Sequence, residues 1–360
     1  MAAAAGNVGR RGRPPAGNLR KRRVGGCPVF AGGGTAGGGS GVREISFCDC
    51  NGDGCLEFAA EWTLSDSGNS DRLLTVYSVT AEDGSPGKIS SLASVQTDFH
   101  LFGDFTGNGA DELFYTCHNS SADDSPLYAQ LLDFNTGSGV PEPVTRIDFN
   151  SDVSSAAAVL FCKTDGGIRF FVDTLLSDGC LSTEVIDFSG SQRAFVLPLR
   201  QVRCDVYSSL KRQAPVFCRD KDNDGVPEIP VEIPASDGSV LQNPSGRTVV
   251  SLIEWCGLTD EGLTGKTRYF INFKDGYSVC IDKLYESTVI GYDETSGTAR
   301  WYKAFTEEQG AVSQNIIFSV ICSADRTSVS SDDGLIVVVT RAGEEMNIKP
   351  SFVKSLIETD

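Results

Sequence analysis

The chain has 360 residues and 40% hydrophobic content, which is enough for a packed core in one large repetitive domain or in two average ones. The first 43 residues hold eight of the 31 basic residues and none of the 48 acidic ones, which leaves a net charge of −25 on the rest of the chain. Because a surface this acidic repels phosphate backbones and attracts cations, we expect no nucleic-acid partner and regard Ca²⁺ as a more natural ligand.

Residues 1–43 are basic, rich in Gly, Ala and Pro, and without periodic apolar positions. Such a segment buries too little apolar surface to offset the entropy of ordering, so we predict a disordered tail. An export signal needs an apolar stretch after its charged start, whereas here Arg20–Arg23 lead straight into Val24–Cys27. An alternative that stays open is a wrongly assigned gene start that has displaced a true export signal.

Residues 44–360 form the predicted folded body, with no transmembrane segment. Its apolar runs, such as Ala156–Cys162 and Leu335–Val339, have the length of strands rather than of spanning helices. Most of the 12 cysteines lie in such runs, which favours burial as small core residues over a disulfide framework. Cys48, Cys50 and Cys55 are close enough to suggest zinc, but they lack a downstream Cys-x-x-Cys partner and interrupt a better oxygen-ligand motif.

A nine-residue pattern occurs three times, in a first loop (Asp49–Glu57), a second loop (Asp104–Glu112) and a third loop (Asp220–Glu228). Each copy has side-chain oxygens at positions 1, 3, 5 and 9 and Gly at position 6, and position 7 can offer its carbonyl. The predicted metal ligands are therefore Asp49, Asn51, Asp53, Cys55 and Glu57 in the first loop, Asp104, Thr106, Asn108, Ala110 and Glu112 in the second, and Asp220, Asp222, Asp224, Val226 and Glu228 in the third.

Alternating oxygens in a tight loop are typical of a Ca²⁺ site, because this hard cation takes six to eight oxygens at short range. The alternative interpretation is that the loops are simple Asx-rich turns without metal. This alternative is strongest for the second loop, where Thr106 and Asn108 replace charged ligands. An EF-hand is excluded because position 12 is Ala60, Tyr115 or Val231 instead of Glu. Apolar β-like runs follow all three loops, so we predict that the loops feed strands.

The spacing of the loops predicts repeated units. Their first residues are 55 and then 116 positions apart, so a degenerate copy is expected near residue 162, where Phe161–Gly167 leads into Ile168–Val172. A unit of 50 to 60 residues with about four strands matches a propeller blade. The predicted fold is therefore all-β, a β-propeller of about six or seven four-stranded blades, with the calcium loops in its N-terminal half.

Beyond residue 230 the metal motif ends, but the alternation of strands and turns continues. Thr288–Tyr292 and Ala299–Tyr302 predict a hairpin, and Gly334–Thr340 predicts one more strand. Phe352 and Leu356 are spaced to share one face of a short C-terminal helix.

The loops with their flanking runs Ile45–Phe58, Leu101–Phe114 and Phe217–Ile229 resemble the FG-GAP or VCBS-type repeat of integrin alpha-like β-propellers. The resemblance covers residues 44 to about 235, and the whole body is similar to uncharacterised exported lipoproteins of gut Firmicutes. It implies structural Ca²⁺ between two strands of a blade, an extracytoplasmic location, and a surface-anchored or secreted monomer that binds a protein or glycan. The lack of a visible export signal departs from that pattern.

Catalysis finds little support in the residues, and enzyme activity stays uncertain. His100 and His118 are the only histidines, and they read as surface or rim residues rather than as parts of a nucleophile or metal signature. Carboxylates are too numerous to select a glycosidase or lyase pair. Trp62, Trp255 and Trp301 could stack on a sugar, although core packing is favoured. The cluster Arg200, Arg203, Lys211 and Arg212 reads as a solvated basic face. A non-catalytic binding scaffold is the preferred function, with a carbohydrate-active propeller enzyme and a structural cell-envelope component as alternatives.

Overall fold

A computed structural model of the chain describes residues 41–63, 72–80, 87–118, 127–201, 210–213, 215–234, 249–274, 276–282, 288–293, 295, 297–303, 316–322, 335–339 and 346–348. The first strands are β1 (Gly41–Cys48), β2 (Glu57–Thr63), β3 (Arg72–Thr80), β4 (Lys88–Gln96), β5 (Phe99–Gly103), β6 (Glu112–His118), β7 (Leu127–Asp133), β8 (Glu142–Asp148), β9 (Val153–Thr164), β10 (Gly167–Leu176), β11 (Leu181–Ser189) and β12 (Ala194–Val196). One helical turn, α1 (Pro198–Gln201), precedes β13 (Ile229–Glu232), β14 (Val250–Thr259), β15 (Gly262–Asn272), β16 (Tyr277–Cys280), β17 (Thr288–Asp293), β18 (Thr298–Lys303), β19 (Ile316–Cys322), β20 (Leu335–Val339) and β21 (Met346–Ile348).

These strands form five sheets in chain order. Sheet 1 (β1–β4), sheet 2 (β5–β8) and sheet 3 (β9–β12) each contain four strands, and every strand is antiparallel to the one before it. Sheet 4 contains β13–β16 with β21 added in parallel, and sheet 5 contains β17–β20 with β19 and β20 parallel. In sheets 1, 2 and 3 short connections explain this order, because antiparallel neighbours need only a tight turn between them.

Successive sheets pack against one another through apolar side chains. Sheets 1 and 2 share a core that includes Leu74 and Leu113, both fully buried. On β10 the neighbours Phe170 and Phe171 point to opposite sides, and both are buried, since side chains alternate along a strand. Phe170 joins the core shared with sheet 2, and Phe171 joins the core shared with Ile229 of sheet 4. Sheet 3 is therefore covered on both faces.

The outer face of sheet 1 is different. Phe47, Ile45, Val79 and Ile89 lie on this face, and each is between 47% and 59% exposed. Phe47 lies opposite Phe58, which stacks on Tyr77 with ring centroids 4.9 Å apart. Sheet 1 thus has one apolar face that other described residues leave open to solvent.

The all-β prediction is confirmed, and so are several local predictions. The turn of the degenerate copy joins β9 to β10 at residues 164–167, the predicted hairpin is β17 with β18, and the strand near residue 335 is β20. Trp255 and Trp301 are fully buried core residues. Of the nine cysteines whose side chains the structure describes, seven are buried and none is in a disulfide. The count of six or seven blades stays a prediction.

Two sequence predictions differ from the structure. β1 begins at Gly41, so residues 41–43, which we assigned to the tail, belong to a strand. Arg212, which we expected on a solvated face, is 1% exposed and forms an ion pair with Asp173 at 2.7 Å. Lys211 is exposed as expected and pairs with Asp178. The two neighbours point in opposite directions because successive side chains of an extended segment alternate.

Some predictions fall outside the described residues. These are the tail up to residue 40, the C-terminal helix at Phe352 and Leu356, and the side chains of Arg200 and Arg203. Within the described part, no helix is long and apolar enough to cross a membrane.

Candidate metal centre

Each of the three loops connects two antiparallel partners at the same register. The first loop joins β1 to β2 with Cys48 paired to Glu57, and the second joins β5 to β6 with Gly103 paired to Glu112. The third loop precedes β13 and is closed by a bridge between Arg219 and Glu228. The Glu at position 9 is therefore in each loop the first residue after the turn that pairs with the incoming strand.

This position-9 carboxylate is buried in all three loops. Glu57 is 3% exposed, and Glu112 and Glu228 are 0% exposed. Each carboxylate accepts the backbone N–H of position 2, at 2.9 Å from Cys50, 2.8 Å from Phe105 and 2.7 Å from Lys221. A buried carboxylate needs such hydrogen bonds because desolvation disfavours its charged form. The other oxygen of Glu57 accepts a hydrogen bond from Asn51 of the same loop, and that of Glu228 accepts one from Lys266 of β15.

The residues at positions 5 and 7 also repeat their contact. The backbone N–H of position 7 donates to the side-chain oxygen of position 5, at 2.7 Å from Cys55 to Asp53 Oδ1, and at 2.8 Å both from Ala110 to Asn108 Oδ1 and from Val226 to Asp224 Oδ1. An Asx side chain that binds the backbone two residues later holds a tight turn. The three loops therefore share one conformation. The sequence motif itself consisted only of the Asx side chains and the glycine.

Two backbone positions in each loop are left-handed. Position 6 is the glycine of the motif, with φ of +81° at Gly54 and +90° at Gly225. Position 4 also has positive φ, at Gly52, Gly107 and Asn223. Asn tolerates this conformation better than most residues with a Cβ. The sequence analysis did not identify position 4 as part of the motif, because it is Gly in two loops and Asn in the third. Both residue types are favoured in the left-handed backbone region.

In the first loop an amide lies between two carboxylates, and no described cationic side chain pairs with them. Asn51 Nδ2 lies 3.0 Å from Asp53 Oδ2 and 3.1 Å from Glu57 Oε1. Asp49 Oδ2 accepts the N–H of Gly54 at 3.0 Å, whereas Asp49 Oδ1 is buried and has no hydrogen-bond partner. No lysine or arginine described in the structure pairs with the three carboxylates of this loop. A neutral amide cannot offset their charge, so the donor set fits Ca²⁺.

Electrostatics in the first loop point in the same direction. Burial raises the pKa of Glu57, and the nearby charges of Asp53 and Asp49 add to this shift. The backbone N–H of Cys55 lowers the pKa of Asp53. A bound cation would favour the ionised form of every one of these carboxyl groups. The loop therefore combines a buried acid that resists ionisation with an exposed acid that is readily ionised.

The second loop fits a metal less well. Both oxygens of Glu112 are engaged, since Oε2 accepts the N–H of Phe105 and of Thr106, and Oε1 accepts the Thr106 hydroxyl at 2.6 Å. Asp104 is exposed. That the second loop is the weakest metal candidate stays a prediction.

The second loop instead holds the first loop in place. The N–H of Asp49 donates to Asp111 Oδ2 at 3.0 Å, and the N–H of Asp111 donates to the Asp49 carbonyl at 2.8 Å. A Cβ built on Gly52 would lie 3.3 Å from Ala110 Cβ, so the two loops are in near contact. The pKa of Asp111 is raised by burial and by the charge of Asp49. Asp111 at position 8 was not singled out from sequence, because its role depends on the adjacent sheet.

The third loop gathers the most carboxylates. Ligand oxygens of Asp220, Asp222 and Asp224 lie within 4.8 Å of one another, the one such acidic group among the described residues. Asp220 accepts the N–H of Gly225 at 2.9 Å, as Asp49 does in the first loop from Gly54. Unlike the first loop, it also contains an ammonium group, that of Lys266 on β15.

The histidines lie in ordinary structural contacts. His100 Nδ1 is 3.3 Å from Glu61 Oε2, and its side chain is 9% exposed, so it is more buried than the sequence predicted. The pKa of Glu61 is lowered by its hydrogen bond with His100. His118 Nε2 lies 2.6 Å from the carbonyl of Ser154, which joins β6 to β9. These contacts join β5 to β2 and β6 to β9.

No protein-family model matches the sequence, and a search of curated proteins also finds no match.

Proposed function

We propose that this protein is a non-catalytic, calcium-stabilised repeat scaffold of the FG-GAP or VCBS type that works outside the cytoplasm and binds a protein or glycan. The observation that carries the proposal is the first loop. In this loop Asn51 Nδ2 contacts carboxylate oxygens of Asp53 and Glu57, and Asp49 Oδ1 is buried without a hydrogen-bond partner. Oxygen donors of this kind suit a hard cation.

Calcium in such a loop would be structural. It would neutralise converging carboxylates and fix the turn between β1 and β2, so its binding would add to folding stability. The extracytoplasmic location follows from the same chemistry, because loops of modest charge bind Ca²⁺ in the range of about 10⁻⁴ to 10⁻³ M that suits extracellular modules. A binding role is preferred over a purely structural one, because the loops that connect the strands of rigid repeats can vary in sequence and contact a ligand.

The finer architecture is proposed to be a β-propeller. Consecutive four-stranded sheets, packing between successive sheets, and a metal loop in the same hairpin of sheets 1 and 2 all support blades. Closure of such a ring requires that the outer face of sheet 1 be covered by the sheet at the other end of the row, sheet 5.

Direct calcium binding to the full chain tests the function. Asp53→Asn keeps the size of the side chain but removes one charge from the first loop, so we expect affinity for Ca²⁺ at one site to fall on the order of tenfold or more. Isothermal titration with CaCl₂ measures this change. Asp165→Asn is the matched control, because Asp165 lies in the degenerate turn between β9 and β10, where the other ligands are absent. Equal calcium binding by wild type and Asp53→Asn would contradict the proposal.

Substitution on the outer face of sheet 1 tests the propeller. If a closed ring covers Phe47, Phe47→Asp buries a charge and should lower the free energy of unfolding by about 3 kcal/mol or more. Val140→Asp is the control, because Val140 is 62% exposed in the turn before β8. Chemical denaturation compares the two variants. If both change stability by less than about 0.5 kcal/mol, the sheets form an open row and not a ring.

A further inference from the structure

Lys266 occupies the centre of the third loop. Its Nζ lies 2.6 Å from Glu228 Oε1, 3.0 Å from Asp222 Oδ2 and 3.1 Å from Asp224 Oδ2. These are positions 9, 3 and 5 of the loop, the same positions that supply predicted metal ligands. An ammonium has three N–H donors, and here each has a carboxylate oxygen within hydrogen-bond distance.

The local backbone is shaped to bring Lys266 to this point. In the pairing of β14 with β15, Trp255 lies opposite Thr267 but Cys256 lies opposite Gly265, so Lys266 is the extra residue of a β-bulge. A bulge re-aims a side chain relative to the regular strand. On the partner strand, a Cβ built on Gly257 would lie 3.1 Å from Lys266 Cε, so the absence of a side chain there leaves a path for the lysine stem.

The first loop shows what the third would be without this lysine. At the same three positions, Asn51 Nδ2 bridges Asp53 and Glu57 at 3.0 and 3.1 Å, and no described cationic side chain enters. The third loop has one more carboxylate at these positions, because Asp222 stands where the first loop has Asn51. The third loop therefore carries more negative charge than the first, and the ammonium group of Lys266 supplies a cation from the same chain.

Three carboxylates hold the ammonium group, and one of them, Glu228, is 0% exposed and has little access to water. A Ca²⁺ ion would need the same oxygens at 2.3 to 2.6 Å and would be repelled by a positive charge a few ångströms away.

We infer that Lys266 is a tethered cation that takes the place of calcium in the third loop, so that this loop is metal-independent in the native protein. The inference rests on the proposed function only in treating the third loop as a member of the same set of calcium loops. Removal of the ammonium should leave four carboxylates without a partner cation and convert the loop into a calcium site. The chain would then combine a metal-dependent first loop with a self-neutralised third loop.

Calcium stoichiometry of the full-length protein, measured by equilibrium dialysis against ⁴⁵Ca²⁺, tests this inference. In the wild-type background Asp224→Ala should leave the number of bound ions unchanged. Lys266→Met should bind one ion more per chain than wild type, and Asp224→Ala added to Lys266→Met should remove that ion. Lys163→Met, which changes an exposed lysine of β9, should match wild type.

Two results would overturn the inference. One is a lower stoichiometry for Asp224→Ala in the wild-type background, because the loop would then bind metal with Lys266 in place. The other is a folded Lys266→Met protein, verified by circular dichroism, that binds no additional ion. The Asp224→Ala comparison does not depend on the folding of Lys266→Met. Failure of the proposed function is seen separately, as unchanged binding in Asp53→Asn, and it leaves the gain in Lys266→Met still measurable.

Discussion

Arg212→Met is expected to lower the free energy of unfolding by about 3 to 5 kcal/mol, because it leaves the Asp173 carboxylate buried without its cation. The two side chains are 0% and 2% exposed, and the guanidinium Nη2 donates to Asp173 Oδ1 at 2.7 Å. Arg212 also donates to the carbonyls of Val216 and Leu210, so it fixes the segment before the third loop. Urea denaturation at neutral pH measures the loss.

Two further variants separate charge burial from general damage. Lys211→Met removes the neighbouring exposed cation, which pairs with Asp178 at the surface, and should change stability little. Adding Asp173→Asn to Arg212→Met removes the unpaired charge, so the double variant should be more stable than Arg212→Met alone. An Arg212→Met protein as stable as Lys211→Met would show that the ion pair does not hold sheet 3 to the following segment.

Phe170→Ala is expected to cost about 3 to 5 kcal/mol, the usual range for a buried aromatic ring truncated to a methyl group. Phe170 is 0% exposed at the centre of the core shared by sheets 2 and 3. Its ring stacks on Phe114 with centroids 4.1 Å apart and meets Phe105 edge to face at 5.1 Å. Such pairs add to the free energy of area burial.

Phe170→Ala is also tested by urea denaturation, with unfolding followed by two independent spectroscopic probes. Because the ring joins two sheets, we expect the whole transition to move to lower urea rather than one part of it. Phe217→Ala makes the same chemical change at a ring that is 42% exposed, and it should cost much less. Similar losses in both variants, or a separate early transition in Phe170→Ala, would contradict the packing of sheets 2 and 3 as one unit.

Features that depend on neighbours in sequence were predictable. The three loops with Glu at position 9, the turn at residues 164–167 and the hairpin of β17 with β18 all follow from local spacing, because turn residues and alternation act within a few positions. The all-β class follows from the same patterns. The start of β1 at Gly41 was missed by three residues, since a glycine-rich approach to a strand gives no sharp boundary.

Features that depend on distant residues were not predictable. Lys266 is 38 residues from Glu228 and reaches the third loop only through a β-bulge and the space over Gly257. Arg212 and Asp173 are 39 residues apart and meet only when sheet 3 packs on the following segment. From one sequence alone, these buried charged residues cannot be distinguished from charged residues on the surface, because burial and pairing arise from tertiary packing.

The most direct test of calcium stabilisation is the melting temperature of the full chain, measured by calorimetry with excess Ca²⁺ and with chelator. At calcium about 100-fold above Kd, one structural site adds about 2.7 kcal/mol to the folded state, so we expect a rise of a few degrees in wild type. The rise should shrink in Asp53→Asn and persist in Asp165→Asn. Identical melting of wild-type protein with calcium and with chelator would contradict the account and reduce the first loop to a turn between β1 and β2.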